Sequence, residues 1–256
     1  MLRFAPSPTG LLHMGNLRVA LLNYLFAKKN NLNFFLRIDD TDQERSKKEF
    51  IESIIEDLKW LGIDYFKLIK QSDRESKYRD VFNFLKKNNY IYPCFESPDE
   101  LSLKRKILLK QGKPPIYDRA SLKMTGKEVR SLIQEGKKPH WRLKLDDESI
   151  KWNDMIHGLI SFNNLSISDP VVFRSDEMPL FTITSVVDDA DMQVSHIFRG
   201  DDHITNTAAQ MKLFKLLNSK IPIFGHFPLM KSQSGKGLSK RSDSFSIRDF
   251  RNRKVF

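Results

Sequence analysis

The first thirty residues combine an apolar strand, a turn rich in proline and glycine, and a helix, and this order constrains the fold more than any other feature. The apolar run at residues 2–5 leads into the turn PSPTGLLHMGN at 6–16 and then into an apolar-periodic stretch at 17–29. A turn of small residues that opens a helix presents free backbone N–H groups and the positive end of the helix dipole. The sequence therefore predicts an anion site, such as a nucleotide phosphate site, at the start of the first helix.

Strand-like and helical patterns alternate as far as about residue 90. Strands are predicted at 2–5 and 34–38, and helices at 17–29, 48–61 and 77–87. Such alternation favours a mostly parallel sheet, whose ligands bind beyond the carboxyl ends of the strands. The turns that contain His13 and Asp39 both follow predicted strands, so we expect them to face one crevice.

The pattern changes between residues 91 and 183. A basic helix at 98–111 and a helix near 127–135 precede short strand-like segments at 141–145, 159–162 and 171–174. The alternation resumes with an apolar stretch at 181–187, strands at 195–199 and 224–228, and a helix at 205–217. We therefore predict an α/β, Rossmann-like parallel-sheet nucleotide-binding fold split by an inserted α+β module. Its first half is 1–90, the insertion 91–183 and its second half 184–256.

Charge and cysteine content narrow the class of protein. The formal net charge of +11 favours a polyanionic partner, although a lysine-rich composition with no partner would give the same value. Cys94 is the only cysteine, which excludes an internal disulfide and a cysteine-based zinc cluster. No apolar run approaches the roughly 18 residues of a membrane span, so we expect a cytoplasmic protein that does not bind membranes. We also expect a monomer.

A second signature, GLSKR at 237–241, lies in a loop of glycine, serine and lysine that can close cations over a triphosphate. Together with residues 6–16, RIDDTD at 37–42, VVDD at 186–189 and IFRGDDH at 197–203, it closely resembles the catalytic domain of glutamyl-tRNA synthetases, which are class I aminoacyl-tRNA synthetases. The resemblance covers essentially all 256 residues. It implies ATP-dependent activation of L-glutamate to glutamyl-adenylate and transfer to the 3′ end of tRNA. The insertion is then implied to hold the tRNA acceptor end.

The resemblance also implies an ATP site at which ATP binds with Mg²⁺, and no metal site belonging to the protein itself. His13, Gly15 and Lys240 carry the implied catalytic roles, with Gly15 allowing adenosine to approach the backbone. Where most of the family has lysine this chain has Gly237, with Lys236 displaced by one position. The implied ATP-binding residues are Pro8, Thr9, Gly10, His13, Gly15, Asn16, Asp202, Ser239, Lys240 and Arg241.

Glutamate recognition is implied for a second group of residues. A guanidinium fork suits a carboxylate and disfavours the neutral amide of glutamine, although Arg3 or Arg199 could instead form a structural salt bridge. Asp39 stands where most of the family has glutamate for the substrate ammonium, and Phe181 where many members have tyrosine. The implied glutamate-binding residues are Arg3, Ala5, Ser7, Asp39, Phe181, Ser185 and Arg199.

The basic helix and the acidic pairs allow further predictions. Lys104, Arg105 and Lys106 are expected to contact tRNA phosphates, unless they form only a solvated helix face. The pairs Asp39/Asp40, Asp188/Asp189 and Asp201/Asp202 could hold a divalent metal or could cap helices and turns. Asp40 and Asp42 are expected to cap the next helix, and Cys94 to be a buried or half-buried thiol.

Several functional alternatives stay open. The DDTD motif and the run at 113–122 are similar to those of a duplicated, divergent bacterial branch, some members of which prefer tRNA for glutamine. Because nothing after residue 241 can supply an anticodon-reading part, we expect a fragment, with a short enzyme that glutamylates queuosine in tRNA as the alternative. An adenylate-forming nucleotidyltransferase that does not use tRNA and a non-catalytic tRNA-binding module are the other candidates.

Overall fold

Parallel strands and helices alternate in the first part of the chain, as predicted. The computed structural model describes residues 1–146, 148–163, 167–230 and 246–253. The strands β1, β2 and β3 pair in parallel, with Leu2 opposite Phe34 and Leu36 opposite Leu68. The elements are β1 (Leu2–Phe4), α1 (Met14–Lys29), β2 (Phe34–Ile38), α2 (Lys48–Trp60), β3 (Leu68–Lys70) and α3 (Glu75–Lys87).

The next stretch departs from this alternation and builds two antiparallel structures. Strands β4, β5 and β8 form one sheet, and β6 and β7 form a separate hairpin. This antiparallel region interrupts the parallel strands at the place predicted for the insertion. Its elements are β4 (Ile91–Cys94), α4 (Pro98–Lys110), α5 (Gly126–Gln134), β5 (His140–Leu143), β6 (Ile150–Asp154), β7 (Gly158–Phe162) and β8 (Val171–Phe173).

Parallel pairing resumes between β9 and β10, and Ser195 N, just before β9, donates to Met1 O at 2.9 Å. This bond places β9 beside β1, so that both strands end at the same edge of the sheet. The mixed α/β, Rossmann-like prediction is therefore confirmed. The remaining elements are α6 (Phe181–Asp191), β9 (His196–Gly200), α7 (Ile204–Leu216), β10 (Ile223–Phe227) and α8 (Ile247–Asn252).

Two clusters of buried apolar side chains support this arrangement. One joins β1, β2, α1 and α2 and includes Phe198 of β9 and Ile247 of α8. The other packs α3, α6 and α7 against the antiparallel sheet. In the described part of the chain, none of the helices combines the length and the apolar composition needed to cross a bilayer.

The predicted capping of α2 by Asp40 and Asp42 is wrong. The N-cap residue of α2 is Lys47, whose side chain makes no capping hydrogen bond. Asp40 instead accepts hydrogen bonds from Ser72 N at 2.9 Å and Ser72 Oγ at 2.8 Å. Asp42 accepts from Arg45 N and Nε. Asp40 therefore connects the turn after β2 to the turn after β3, and Asp42 stabilises the turn after β2. Both turns lie closer to these carboxylates than the start of α2 does.

Candidate active site

A cavity of about 480 Å³ lies where β1 and β9 end and α1 begins. Among the described residues, four arginines but only one carboxylate line it, namely Arg3, Arg18, Arg37, Arg199 and Asp202. Such a cationic surface attracts acids and phosphates. Because β1 and β9 end at this cavity, it lies where parallel α/β proteins bind their ligands.

Most of the predicted site residues meet in this region. The predicted residues that line the cavity are Arg3, Ala5, Ser7, His13, Gly15, Asn16, Phe181, Arg199 and Asp202. Thr9 and Asp39 line a second cavity of about 270 Å³, which shares Ser7 and Phe181 with the first. The turns after β1 and β2 are also joined directly, because Asp39 N donates to Pro6 O at 3.1 Å. The turn with His13 therefore borders the first cavity and Asp39 the second, and the two cavities adjoin at Ser7 and Phe181.

Some predicted residues lie elsewhere. Pro8 and Gly10 line neither cavity. Ser185 is fully buried in α6, where its hydroxyl donates to Phe181 O at 2.8 Å and accepts from Gln210 Nε2 at 2.6 Å. Lys236, Gly237, Ser239, Lys240 and Arg241 lie outside the described residues.

His13 caps the helix that opens at the cavity. Its Nδ1 accepts from Gly15 N at 3.1 Å, while its backbone N donates to Asn16 Oδ1 at 3.2 Å. A Cβ atom on Gly15 would lie 2.8 Å from His13 Cε1. Glycine at this position therefore lets the imidazole fold over the helix start, in addition to the predicted close approach of adenosine.

The chain on either side of the undescribed residues 231–245 lies at this site. Met230 lines the cavity, and Ser246 forms an isolated β-bridge with His13. The following helix α8 is held on α2 by Arg251, whose Nη1 lies 3.2 Å from Asp57 Oδ1. The described residues that flank 231–245 thus both lie beside the start of the first helix.

Arg199 is a buried cation whose hydrogen-bond partners are all uncharged. Its Nη2 donates to Thr207 Oγ1 and to Gln210 Oε1, each at 2.6 Å, and its Nε donates to His226 Nε2 at 3.3 Å. Its Nη1 is buried without a hydrogen-bond partner in the described part of the chain. Burial and the nearby Arg3 lower the pKa of Arg199, although the charges of Asp189 and Asp202 oppose this shift. Arg199 therefore carries one N–H donor that no described group of the protein satisfies.

Arg37 and Arg3, in contrast, contact carboxylates of the protein. Arg37 Nε lies 2.6 Å from Asp39 Oδ1, and its Nη1 lies 2.8 Å from Asp189 Oδ1. Arg3 donates to both oxygens of Asp189, at 2.9 and 3.1 Å. Burial opposes the charged form of Arg37, but these aspartates and Asp188 raise its pKa. The structural salt bridge considered for Arg3 is present, although Arg3 also lines the cavity.

The titratable groups beside the arginines have shifted pKa values. Burial raises the pKa of Asp39 to about 6, although Arg37 opposes this shift. Burial and the charge of Arg199 lower the pKa of His203 to about 4, so its ring is neutral at pH 7. This ring packs against Phe181 with 5.1 Å between centroids. The described residues contain no group of three or more histidine, cysteine, aspartate or glutamate side chains that could hold a metal ion.

Sequence reasoning missed Arg37, Thr207, Gln210 and His226 as parts of this region. Arg37 and His226 each lie in an otherwise apolar strand, FFLRI and IFGHF, and both are fully buried. A charged or polar residue within an apolar strand was the available signal, because burial of such a group requires hydrogen-bond partners.

The basic helix α4 lies away from the cavity. Lys104 Nζ lies 3.3 Å from Asp118 and 3.5 Å from Glu96, whereas Arg105 and Lys106 are exposed and form no ion pair with a described residue. The three predicted tRNA-binding residues therefore differ in how far the protein already compensates their charge. Cys94 is buried, as predicted, and burial raises the pKa of its thiol.

Comparison with known proteins gives a consistent set of matches. Residues 1–254 match the family model described as "tRNA synthetases class I (E and Q), catalytic domain". The chain is 48% identical to glutamate–tRNA ligase of Azospirillum brasilense over 248 residues, which cover 97% of this chain and 56% of that protein. It is 49% identical to glutamate–tRNA ligase 2 of Cereibacter sphaeroides over 253 residues, covering 99% and 57%.

The fold matches solved structures as well. A crystal structure of glutamate tRNA ligase from Elizabethkingia meningosepticum, in complex with its amino acid, superposes with a TM-score of 0.84 at 32% identity, covering 98% of this chain and 52% of that one. The chain thus spans about half the length of the relatives that it matches.

Proposed function

Because the chain belongs to the class I tRNA synthetase family for glutamate (E) and glutamine (Q), matching its catalytic domain, we propose that it activates L-glutamate with ATP and transfers it to the 3′ end of tRNA. The observation that carries this proposal is the buried Arg199, which lines a cationic cavity and contacts no carboxylate among the described residues. A ligand with its own carboxylate supplies the missing counter-charge.

Amino-acid choice follows from this charge. The side-chain carboxylate of glutamate accepts a hydrogen bond from Arg199 Nη1, which has no described partner. The amide of glutamine carries no negative charge and would leave the buried guanidinium uncompensated. Sites that leave a polar group unpaired with the wrong ligand discriminate by roughly 10⁴-fold. Arg3 contributes positive charge to the same cavity, although Asp189 already holds its guanidinium.

The substrate ammonium is assigned to Asp39. Its carboxylate already accepts from Arg37, but each carboxylate oxygen has a second lone pair. Asp39 lines the second cavity, and Ser7 and Phe181 connect that cavity to the one lined by Arg199. Glutamate bound at this junction would direct its ammonium group toward Asp39 and its side-chain carboxylate toward Arg199. Ala5 and Ser185 complete the proposed pocket, Ser185 through its bond to Gln210.

ATP is assigned to the start of α1, where the positive end of the helix dipole favours a phosphate. The glutamate α-carboxylate attacks the α-phosphate and diphosphate leaves. A ribose hydroxyl of tRNA then attacks the carbonyl of the mixed anhydride, forming the ester and releasing AMP. His13, Gly15 and Asn16 hold the nucleotide at the helix start, together with Pro8, Thr9, Gly10 and Asp202. Lys240, with Ser239 and Arg241, supplies cations to the transferring phosphates, and Mg²⁺ enters with ATP.

The inserted antiparallel region, residues 91–183, is assigned to the tRNA acceptor end, with Lys104, Arg105 and Lys106 facing phosphates. The relatives are nearly twice as long, so we propose that residues beyond those matched here add tRNA contacts and that the isolated chain charges tRNA poorly. We propose that the protein is a monomer located in the cytoplasm.

The test is ATP–diphosphate exchange with glutamate and with glutamine, measured in the presence and absence of tRNA. We expect exchange with glutamate only. The variant Arg199→Met should lose this exchange, whereas Arg79→Met, which removes an exposed arginine from α3, should retain it. Equal exchange rates with the two amino acids would exclude the assignment of Arg199.

The tRNA acceptor requires a separate measurement. All three relatives reported above are named glutamate tRNA ligases, and the one from Cereibacter sphaeroides carries the number 2 in its name. Charging of purified tRNA for glutamate and tRNA for glutamine by the full-length protein distinguishes the two substrates. Glutamylation of queuosine-containing tRNA alone would assign the chain to the short related enzymes, and binding of tRNA with no exchange would leave a non-catalytic module.

A further inference from the structure

Asp154 and His226 form a fully buried pair directly behind Arg199. His226 Nδ1 lies 2.6 Å from Asp154 Oδ2, and neither side chain is accessible to solvent. Asp154 ends β6 of the hairpin, whereas His226 lies on β10 of the parallel sheet. The pair therefore connects the antiparallel region to the strand beside Arg199.

The contacts define which nitrogen of His226 carries the proton. Nε2 faces a donor, because Arg199 Nε donates to it at 3.3 Å. The hydroxyl of Thr207 lies 2.9 Å from the same nitrogen and can donate or accept. Nδ1 faces a carboxylate, which can only accept when it is ionised. The arrangement is consistent when Nδ1 carries the hydrogen and Nε2 presents its lone pair to Arg199.

Asp154 is itself held rigidly. Its Oδ1 accepts from the backbone N–H groups of Ile156, His157 and His226, at 3.0, 3.2 and 3.1 Å. Its Oδ2 is thereby left for the imidazole of His226. The carboxylate thus has one oxygen for the backbone and one for the histidine.

We propose that Asp154 and His226 are positioning residues, which fix the guanidinium of Arg199 so that Nη1 remains available to the substrate carboxylate. This inference rests on the proposed role of Arg199. With Nε held by His226 and Nη2 held by Thr207 and Gln210, the plane of the guanidinium is set by three neighbours. Protonation of Nε2 would place two donors against each other and release one of these bonds.

The variant Asp154→Asn separates positioning from simple structural support. The three backbone donors require an oxygen at the Oδ1 position, so the amide nitrogen must replace Oδ2 and face His226. An amide nitrogen donates to Nδ1, which moves the imidazole hydrogen to Nε2, against Arg199. A buried carboxylate orients its histidine partner in the same manner in catalytic triads, where the corresponding amide inverts the tautomer.

The test combines ¹⁵N NMR of labelled histidine and arginine with exchange kinetics on the full chain. In Asp154→Asn we expect the His226 hydrogen to move from Nδ1 to Nε2 and the Arg199 Nε–H resonance to shift. We also expect the KM for glutamate to rise about 10- to 100-fold, the range seen when supporting hydrogen bonds of a site are lost. The KM for ATP should stay unchanged.

Two further variants serve as controls. His157→Gln removes the adjacent exposed His157–Asp201 pair on the same hairpin turn without touching Arg199, and should leave both KM values unchanged. His226→Gln keeps a donor for Asp154 and an acceptor for Arg199, so it should retain most of the affinity for glutamate. His226→Leu, which keeps neither, should not. If Asp154→Asn fails to fold, the comparison of His226→Gln with His226→Leu tests the positioning role instead.

Each outcome is informative. An inverted tautomer with an unchanged KM for glutamate would overturn the proposal, and so would an unchanged tautomer. If the wild-type chain shows no exchange with glutamate, the proposed function fails. In that case the shift of the Arg199 Nε–H resonance in Asp154→Asn still supports positioning, and its absence refutes it.

Discussion

Two buried arginines in neighbouring parts of the sheet have opposite surroundings. Arg37 of β2 is completely buried and contacts Asp39 and Asp189, with Asp188 3.7 Å away. Arg199 of β9 is 6% exposed, and its hydrogen-bond partners among the described residues are all uncharged groups. The pKa of Arg37 is raised by its aspartates, against the effect of burial, whereas burial and Arg3 lower the pKa of Arg199.

This difference distinguishes a structural charge from a binding charge. Removing an ion from water costs several kcal/mol, and a fold recovers this cost only with a well-placed counter-ion. Arg37 has its counter-ions within the protein, so its charge is compensated without a ligand. Arg199 lacks one among the described residues, so its cost is recovered only when an acid binds.

The largest expected effect concerns Arg199. Replacing it with methionine should lower kcat/KM for glutamate in ATP–diphosphate exchange by about 10³-fold or more, equivalent to roughly 4 kcal/mol. The free energy of unfolding, measured with urea, should change by no more than about 1 kcal/mol, because an uncompensated buried charge is removed together with its hydrogen bonds. A loss of several kcal/mol in stability would show that Arg199 supports the fold as Arg37 does.

The matched substitution Arg37→Met should have the converse effect. It leaves Asp39 and Asp189 buried with fewer partners, and breaking a buried pair in this manner costs about 3–5 kcal/mol. Urea unfolding would report this loss, and poor yield of folded protein is its extreme form. Wild-type stability in this variant would mean that the aspartates are neutralised in another way and that the comparison fails.

Ligand-induced stabilisation provides a smaller effect. At a glutamate concentration of 100 times Kd, binding should stabilise the fold by about 2.7 kcal/mol. For a chain of this size this corresponds to a rise in Tm of roughly 5–10 °C. Glutamine should produce no rise, and Arg199→Met should abolish the response to glutamate. A similar rise with both amino acids in a thermal shift assay would contradict charge recognition.

The pH dependence of glutamate binding tests the proposed contact between the substrate ammonium and Asp39. The pKa of Asp39 is raised by burial to about 6, so this carboxyl is ionised at pH 7 and mostly neutral at pH 5. If the ionised form binds the substrate ammonium, affinity should be constant above pH 7 and should fall about tenfold at pH 5. Calorimetric titration at both pH values measures this change, and Asp39→Asn should remove the pH dependence.

Most of the fold could be predicted from the sequence, because strand and helix patterns depend on residues that are close together in the chain. Apolar periodicity placed most strands and helices, and the turns after β1 and β2 were expected at one crevice, where Asp39 N bonds to Pro6 O. The strands β3 and β6 were missed. The helix α1 starts at Met14, earlier than predicted, because His13 caps it.

The roles of the arginines could not be read from the sequence in the same way. Arg3 and Arg199 both follow a strand pattern, yet Asp189, which neutralises Arg3, lies 186 residues away on α6. Ser185 was assigned to the substrate, but its hydroxyl bonds to Gln210, the partner of Arg199. Such pairings depend on which helix packs over which strand, which is a property of the tertiary structure.

The same distinction between compensated and uncompensated charge applies to the basic helix α4, where the smallest effects are expected. Lys104 is paired with Glu96 and Asp118, whereas Arg105 and Lys106 have no described ion-pair partner. Each cation that contacts a tRNA phosphate releases a counter-ion, so its removal reduces the slope of log affinity against log salt by about 1. We therefore expect Arg105→Gln and Lys106→Gln each to flatten the salt dependence of tRNA binding, in filter-binding assays with the full-length protein. Lys104→Gln should leave this slope nearly unchanged, since its charge is already offset by two carboxylates. Equal slopes for all three variants and the wild type would mean that α4 presents only a solvated face.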